Sequence, residues 1–218
     1  MYRTIMFDLD GTLTDSKEGI VNCARHAIRQ LGDVPPEERI LAQFVGPPLR
    51  ESFAAFCGYG PEKAQEAVRL FRERYTAVGQ FENRAAAGMA ELLARLRQRG
   101  YELAVTSSKR EDLCVSICRR FGFAPNLSAI VGSTMADNWS KADVVREAMD
   151  RLGLTADDAP SILMVGDRKY DVSGARAFGI GCLGVNFFGY APPGELEEAG
   201  ALAVVDSVDA AEEFILSH

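Results

Sequence analysis

Ile5-Met6-Phe7-Asp8-Leu9-Asp10-Gly11-Thr12-Leu13-Thr14-Asp15 is the stretch on which the fold of this chain turns. Ile5, Met6 and Phe7 form an unbroken apolar run, which reads as a strand buried on both faces, as inside a parallel sheet. The run ends in two carboxylates one residue apart, followed by Gly-Thr. Open α/β sheets place ligands at the carboxyl ends of their strands, and Asp8 and Asp10 stand at such an end. Carboxylates this close repel, and a cation between them keeps both ionised. The competing reading is a strand that runs into an Asp-rich turn, since Asp and Gly are common loop residues.

Outward from this strand the pattern changes. Ser16 is an expected helix cap, followed by Ile20, Val21, Ala24, Ala27, Ile28 and Leu31 at helical spacing, with Gly32 as the stop. Pro35-Pro36 opens a short helix, Leu49 to Phe56 is helical again, and a longer helix starts at Pro61 and runs to about Val78. No strand is expected between 15 and 87. From Gly88 onward helices alternate with short apolar runs at Glu102–Val105, Ala129–Val131, Ser161–Val165, Gly181–Val185 and Ala203–Val205. That alternation predicts an α/β fold, a Rossmann-like doubly wound parallel sheet with helices on both faces. About 70 helical residues are too long for a loop. The expected organisation is therefore an α/β core of 1–14 and 88–218 with an all-helical cap domain of 15–87 inserted after the first strand. A cap so placed is expected to act as a lid that excludes water.

The 218 residues are 47% hydrophobic and 25% charged, as expected of a soluble globular chain. A formal net charge of −7 disfavours general binding to nucleic acid or to an anionic membrane. Any phosphate ligand would therefore need a local cation, a bound metal or an aimed basic side chain. Cys23, Cys57, Cys114, Cys118 and Cys182 are scattered, and no His accompanies Cys114 and Cys118, so reduced thiols are expected rather than a zinc site. With no membrane-spanning run and no leader pattern, a cytoplasmic location is expected.

Three later junctions carry chemistry. Thr106-Ser107 follows an expected strand and offers a hydroxyl and backbone N–H groups to an anion, or simply caps a helix. Lys141 opens a helix behind the expected cap Ser140, and is either aimed or a solvated charge. Gly166-Asp167-Arg168-Lys169-Tyr170-Asp171 ends a buried strand with two more carboxylates four apart. Taken in order, Asp-x-Asp-Gly-Thr, strand-Thr-Ser, Lys and strand-Gly-Asp-x3-Asp resemble all four motifs of the haloacid dehalogenase superfamily, over essentially the whole chain. The position of the insert resembles that superfamily's helical cap class. Phe44-Val45-Gly46-Pro47-Pro48-Leu49-Arg50-Glu51-Ser52-Phe53, the Gly166–Asp171 segment and the tail 189–201 are similar to its phosphoglycolate-phosphatase-like branch.

This resemblance implies a magnesium-dependent phosphatase acting on a small phosphorylated metabolite, as a monomer or homodimer. Asp8 would be the nucleophile and form an aspartyl-phosphate, and Asp10 would be the general acid and base. Mg2+ would be held by Asp8, the Asp10 backbone carbonyl and Asp167, with Asp171 in support. Thr106 and Lys141 would grip phosphoryl oxygens, joined by backbone N–H groups near Leu9 and Ser107. Gly46 and Arg50 in the cap are the candidates for substrate selection; a helix-connecting loop with a surface Arg is the alternative. Arg168 and Lys169 are read as solvated or structural.

Several other activities share these motifs. A nucleotidase, a pyrophosphatase and a β-phosphoglucomutase-like phosphosugar mutase all fit the core, the last needing a second phosphate-binding group such as Arg50. Asp10 disfavours a dehalogenase, and neither Lys17 nor Lys63 is marked as the desolvated amine of a phosphonatase. A non-catalytic binding module is a remote alternative, since the acids and Lys141 are all retained.

Overall fold

The computed structural model describes residues 1–134 and 139–218. In chain order the elements are β1 (Thr4–Phe7), β2 (Thr14–Asp15), α1 (Lys17–Gln30), α2 (Glu38–Leu41), α3 (Leu49–Cys57), α4 (Pro61–Ala77) and β3 (Arg84–Ala85). They continue with α5 (Met89–Gln98), β4 (Glu102–Arg110), α6 (Glu111–Arg120), β5 (Ala129–Ser133), α7 (Lys141–Leu152) and β6 (Ile162–Gly166). The chain closes with α8 (Lys169–Arg176), β7 (Gly181–Val185), α9 (Glu195–Ala199), β8 (Ala203–Val205) and α10 (Val208–Ser217). Two compact units result, Met1–Thr14 with Ala85–His218, and Asp15–Arg84.

The first unit is built on a six-stranded sheet of order β5-β4-β1-β6-β7-β8, parallel at every pairing. The chain moves outward from β1 through β4 to β5, then returns to pair β6 on the other side of β1. That reversal is the switch point at which doubly wound sheets open a crevice beyond their strand ends. β1 shows why its residues are apolar without a break. Ile5 and Phe7 enter the core shared with Leu103, Val105 and Leu92, while Met6 faces the opposite layer with Ala104, Met164 and Val145. All three β1 side chains are fully buried, each contributing roughly 1.5–3 kcal/mol relative to exposure.

In the second unit, α1 packs against α4 and α3 against α4. Ile20, Ala24 and Ile28 of α1 and Val68, Phe71 and Tyr75 of α4 are buried, and Phe44 meets Phe53 edge-on at 5.0 Å. Among the described residues no helix is long and apolar enough to cross a membrane.

Four details differ from expectation. β2 and β3 pair as a two-stranded ribbon, too short to leave a pattern in a stretch read as strand-free. The return to the first unit comes at Ala85 rather than at 88, because Ala86 is buried in that unit and its N–H donates to Leu13 O. β4 runs on through Thr106 to Arg110, since its pairing with β5 resumes at Arg110 after a register shift. Ser16 occupies the cap position of α1, but its hydroxyl makes no capping bond and is buried without a partner.

Candidate active site

The loop after β1 is closed by its own backbone. Leu13 and Thr14 N–H both donate to Leu9 O, and Gly11 N–H donates to Thr14 O. Gly11 has φ +89°, and a Cβ there would lie 2.1 Å from Asp167 Oδ2. Only glycine lets this loop fold against the acid at the end of the neighbouring strand β6.

Lys141 arrives from α7. Ser140 caps that helix as expected: its Oγ accepts from Asp143 N–H at 3.2 Å, and its own N–H donates to Asp143 Oδ2 at 3.0 Å. The lysine stem passes over Gly174 of α8, where a Cβ would come within 2.5 Å of Lys141 Cγ. Its ammonium is buried and donates to Asp8 Oδ1 and to Thr106 O (2.7 Å), and pairs with Asp171 Oδ1 at 2.7 Å. Residues from β1, β4, α7 and α8 thus meet at one cation.

Asp8, Asp167 and Asp171 offer carboxylate oxygens within 4.8 Å of one another, and all three side chains are buried. Asp167 Oδ1 accepts a long bond from Thr12 Oγ1 at 3.4 Å, whereas Asp167 Oδ2 is buried with no hydrogen-bond partner. An orphaned buried carboxylate oxygen is costly unless a cation meets it. Four carboxylates (Asp8, Asp10, Asp167, Asp171) face two ammonium groups (Lys109, Lys141), an excess of two negative charges. Three oxygen donors, an orphan and that deficit fit a hard divalent cation such as Mg2+.

Electrostatics say the same. Burial pushes the Asp8 carboxyl up to about 7; Lys141 pulls it back, while Asp171 and Asp10 add to the rise. Burial also raises Asp167 well above the usual carboxylate range, with Asp171 and Asp8 reinforcing it. For Lys141 burial alone would lower the value, but Asp171 and Asp8 outweigh it and hold the ammonium protonated. A carboxyl raised on folding keeps its proton in the native state at a pH where the unfolded chain has lost it. Its stabilising contribution is therefore lost as pH rises. The melting temperature of the chelator-treated protein is expected to fall by on the order of 5 °C between about pH 5 and about pH 8. Thermal scans across that range check it, and a flat or rising profile would exclude strained acids.

The remaining expected residues are distributed as follows. Asp10 turns its carboxylate to Lys109, with Nζ 2.8 Å from Oδ1 and 2.7 Å from Oδ2, and lies outside the three-acid cluster. The Asp10 carboxylate is thus not among the oxygens that these three acids bring together. Thr106 is fully buried, and its hydroxyl donates to Met164 Sδ at 3.4 Å. Ser107 is buried, and its Oγ accepts from Lys109 N–H. Leu9 has its side chain in the core. Gly46 and Arg50 belong to the second unit, where both are exposed and Arg50 donates to Gln65. The five cysteines are thiols rather than disulfides; Cys57 is half-buried and the other four are buried.

Lys109 and Glu195 had no part in the expected site. Lys109 stands three residues beyond Thr106, and a charged side chain closing a strand-end Thr-Ser-Ser run was the only signal. Glu195 is paired with Arg168, which is thus structural, as one of the two expected readings had it, rather than solvated. A cavity of about 380 Å³ lies within the second unit, lined by Ile28, Val34, Phe56, Tyr59 and the ion pair Lys63–Asp33 at 2.6 Å. Lys63 bonded in this way is a charged partner rather than the neutral amine a Schiff base needs.

Comparison with known proteins agrees with this geometry. The family model described as haloacid dehalogenase-like hydrolase matches residues 5–185. A 5'-nucleotidase of Pseudomonas aeruginosa is 40% identical over 187 residues, 85% of this chain and 83% of that protein. The tyrosine-protein kinase PtkA of Mycobacterium tuberculosis is 42% identical over 179 residues, 82% of this chain but 60% of that longer protein. The crystal structure of a predicted phosphatase from Clostridium acetobutylicum superposes with a TM-score of 0.93 at 37% identity, covering 100% of both chains. With its four motifs placed just after β1 and β6, within β4 and at the start of α7, the chain belongs to the haloacid dehalogenase-like hydrolase family.

Proposed function

We propose that this protein is a magnesium-dependent phosphatase that hydrolyses a small phosphomonoester through an aspartyl-phosphate on Asp8. The observation that carries the proposal is the meeting of the Asp8, Asp167 and Asp171 carboxylates around Lys141. Asp8, Asp167, Asp171 and the Asp10 carbonyl would hold the ion. When bound, Mg2+ supplies positive charge that offsets the repulsion between the Asp8 carboxylate and a phosphate dianion.

The chain's own residues do the rest. An Asp8 carboxylate oxygen attacks phosphorus in line, and the bond from phosphorus to the leaving oxygen breaks. Asp10 gives that oxygen a proton. A water then attacks the aspartyl-phosphate, Asp10 takes the water's proton, and Asp8 is restored as inorganic phosphate leaves. Lys141, already charged and buried between Asp8 and Asp171, orients the nucleophile and donates to a phosphoryl oxygen. Lys109 holds the Asp10 carboxylate in place between the two half-reactions, after it has given up its proton and before it takes one from water. The backbone N–H groups near Leu9 and Ser107 complete the phosphate cradle. Against expectation, the Thr106 hydroxyl, buried and donating to Met164 Sδ, is turned into the core, and Thr106 serves the site only through its carbonyl on Lys141.

For the leaving group, the similarity of 44–53, 166–171 and 189–201 to the phosphoglycolate-phosphatase-like branch favours a small anionic alcohol. A nucleoside monophosphate is the second reading, favoured by the 40% identity to a 5'-nucleotidase. Gly46 and Arg50 remain the proposed selectors. The test is phosphate release from phosphoglycolate, nucleoside monophosphates, pyrophosphate and hexose phosphates, each with Mg2+ and with excess chelator. Mg2+-dependent release from at least one monoester, lost on chelation by roughly a thousandfold, is expected. Phosphate moved within a sugar without release would point to a mutase instead, and silence from every substrate would defeat the proposal.

A further inference from the structure

Arg168 sits inside the metal-binding motif, directly after Asp167 and three residues before Asp171, yet its guanidinium is committed elsewhere. Its Nε donates to Glu195 Oε1 at 2.8 Å and a terminal nitrogen to Glu195 Oε2 at 3.2 Å. Both side chains are only about a tenth exposed, at 11% and 10%. Glu195 Oε1 also accepts from Lys169 N–H at 3.1 Å, so one carboxylate holds both the side chain of Arg168 and the first turn of α8. α9, which carries Glu195, packs on α8 through buried Leu196. Burial alone would raise the Glu195 carboxyl, but Arg168 and the Lys169 N–H outweigh it and hold the value below the usual range.

We propose that Glu195 is a positioning residue of the metal site, keeping the Arg168 guanidinium off the carboxylates that would bind Mg2+. Without Glu195, Arg168 is a poorly hydrated, permanently charged fork beside Asp167 and one helical turn from Asp171. Asp167 Oδ2 has no partner of its own and is a ready acceptor. A bidentate Arg–carboxylate pair would occupy the oxygens that the cation needs. Glu195 thus acts on the ion through Arg168, at long range in sequence, and the inference rests on the metal assignment made above.

Calorimetric titration of Mg2+ into the intact protein near neutral pH tests this without any turnover. Glu195→Ala is expected to weaken the Mg2+ dissociation constant by about tenfold or more, as for other groups that orient metal ligands from outside. Glu195→Gln, which keeps the shape but loses the charge, is expected to weaken it by roughly threefold. The decisive variant is Arg168→Met with Glu195→Ala. Removal of the competing cation is expected to bring the constant back to within about threefold of the wild type. A merely structural Glu195 would not be rescued in this way, so a double variant as weak as Glu195→Ala overturns the proposal. So does a Glu195→Ala constant equal to that of the wild type. Failure of the wild type itself to bind Mg2+ would bring down the metal assignment as well, and the two failures are told apart in one set of titrations.

Discussion

Replacing Asp8 with Asn is expected to lower phosphate release by roughly ten-thousandfold or more while leaving the fold intact. The amide is nearly the same size as the carboxylate, so the fully buried surroundings of Asp8 need not move. Its oxygen, however, is a poor nucleophile, and two of the nearby acids are already engaged: Asp10 faces Lys109, and Asp171 is tied to Lys141 and to the Arg168 N–H. The substitution also removes one of the mutually repelling acids that raise Asp167. The melting temperature of the chelator-treated variant near pH 8 should therefore not drop, although the Lys141 bond is weakened. Single-turnover phosphate release beside a thermal scan checks both halves. Activity within tenfold of the wild type would remove Asp8 from the role of nucleophile.

The second large effect concerns Lys141→Met, which should damage both activity and stability. The ammonium is the shared partner of Asp8, Asp171 and the Thr106 carbonyl, and its side chain is only 6% exposed. Losing a buried donor aimed at the transferring phosphoryl group costs about 10²–10³ in turnover. Stripping the cation from a buried cluster also leaves carboxylates uncompensated, at a cost of about 3–5 kcal/mol to the metal-free protein. The sign of the pH dependence identifies the cause. Asp8, already raised to about 7 in the presence of Lys141, would rise further without it. The loss should therefore be large near pH 8, where protonating these acids is hardest, and small near pH 5, where they accept protons. Urea denaturation in chelator at the two pH values measures this. Equal losses at both would mean that the lysine stem packs against its neighbours and its charge contributes nothing.

How much of this was legible beforehand follows from the range of each interaction. The β1 run, the helix begun by Ser140 and Lys141, and the strands at Gly181 and Ala203 lie where their residue patterns put them, because burial and capping act over a few neighbours. The register shift in β4 and the two-residue ribbon of β2 and β3 left no such pattern, since pairing with a distant strand decides both. α9 was equally hidden: five residues between two positive-φ glycines are too few for a periodicity.

For the site, residue types and their order were enough to single out Asp8, Asp10, Lys141, Asp167 and Asp171, because each stands just past a strand or in the first turn of a helix that its own local sequence specifies, whereas Thr106 falls inside β4. The partners were not. Asp10 and Lys109 are 99 residues apart, Lys141 and Asp8 are 133 apart, and Arg168 and Glu195 are 27 apart. Nothing in local propensity encodes such separations. The strand order β4-β1-β6 is what brings these side chains to one edge of the sheet. The sequence alone thus determined the elements and the chemical groups they carry, which depend on neighbours along the chain. Only the tertiary structure decided which charges meet, because burial and distance set their energies and both are properties of the folded sheet.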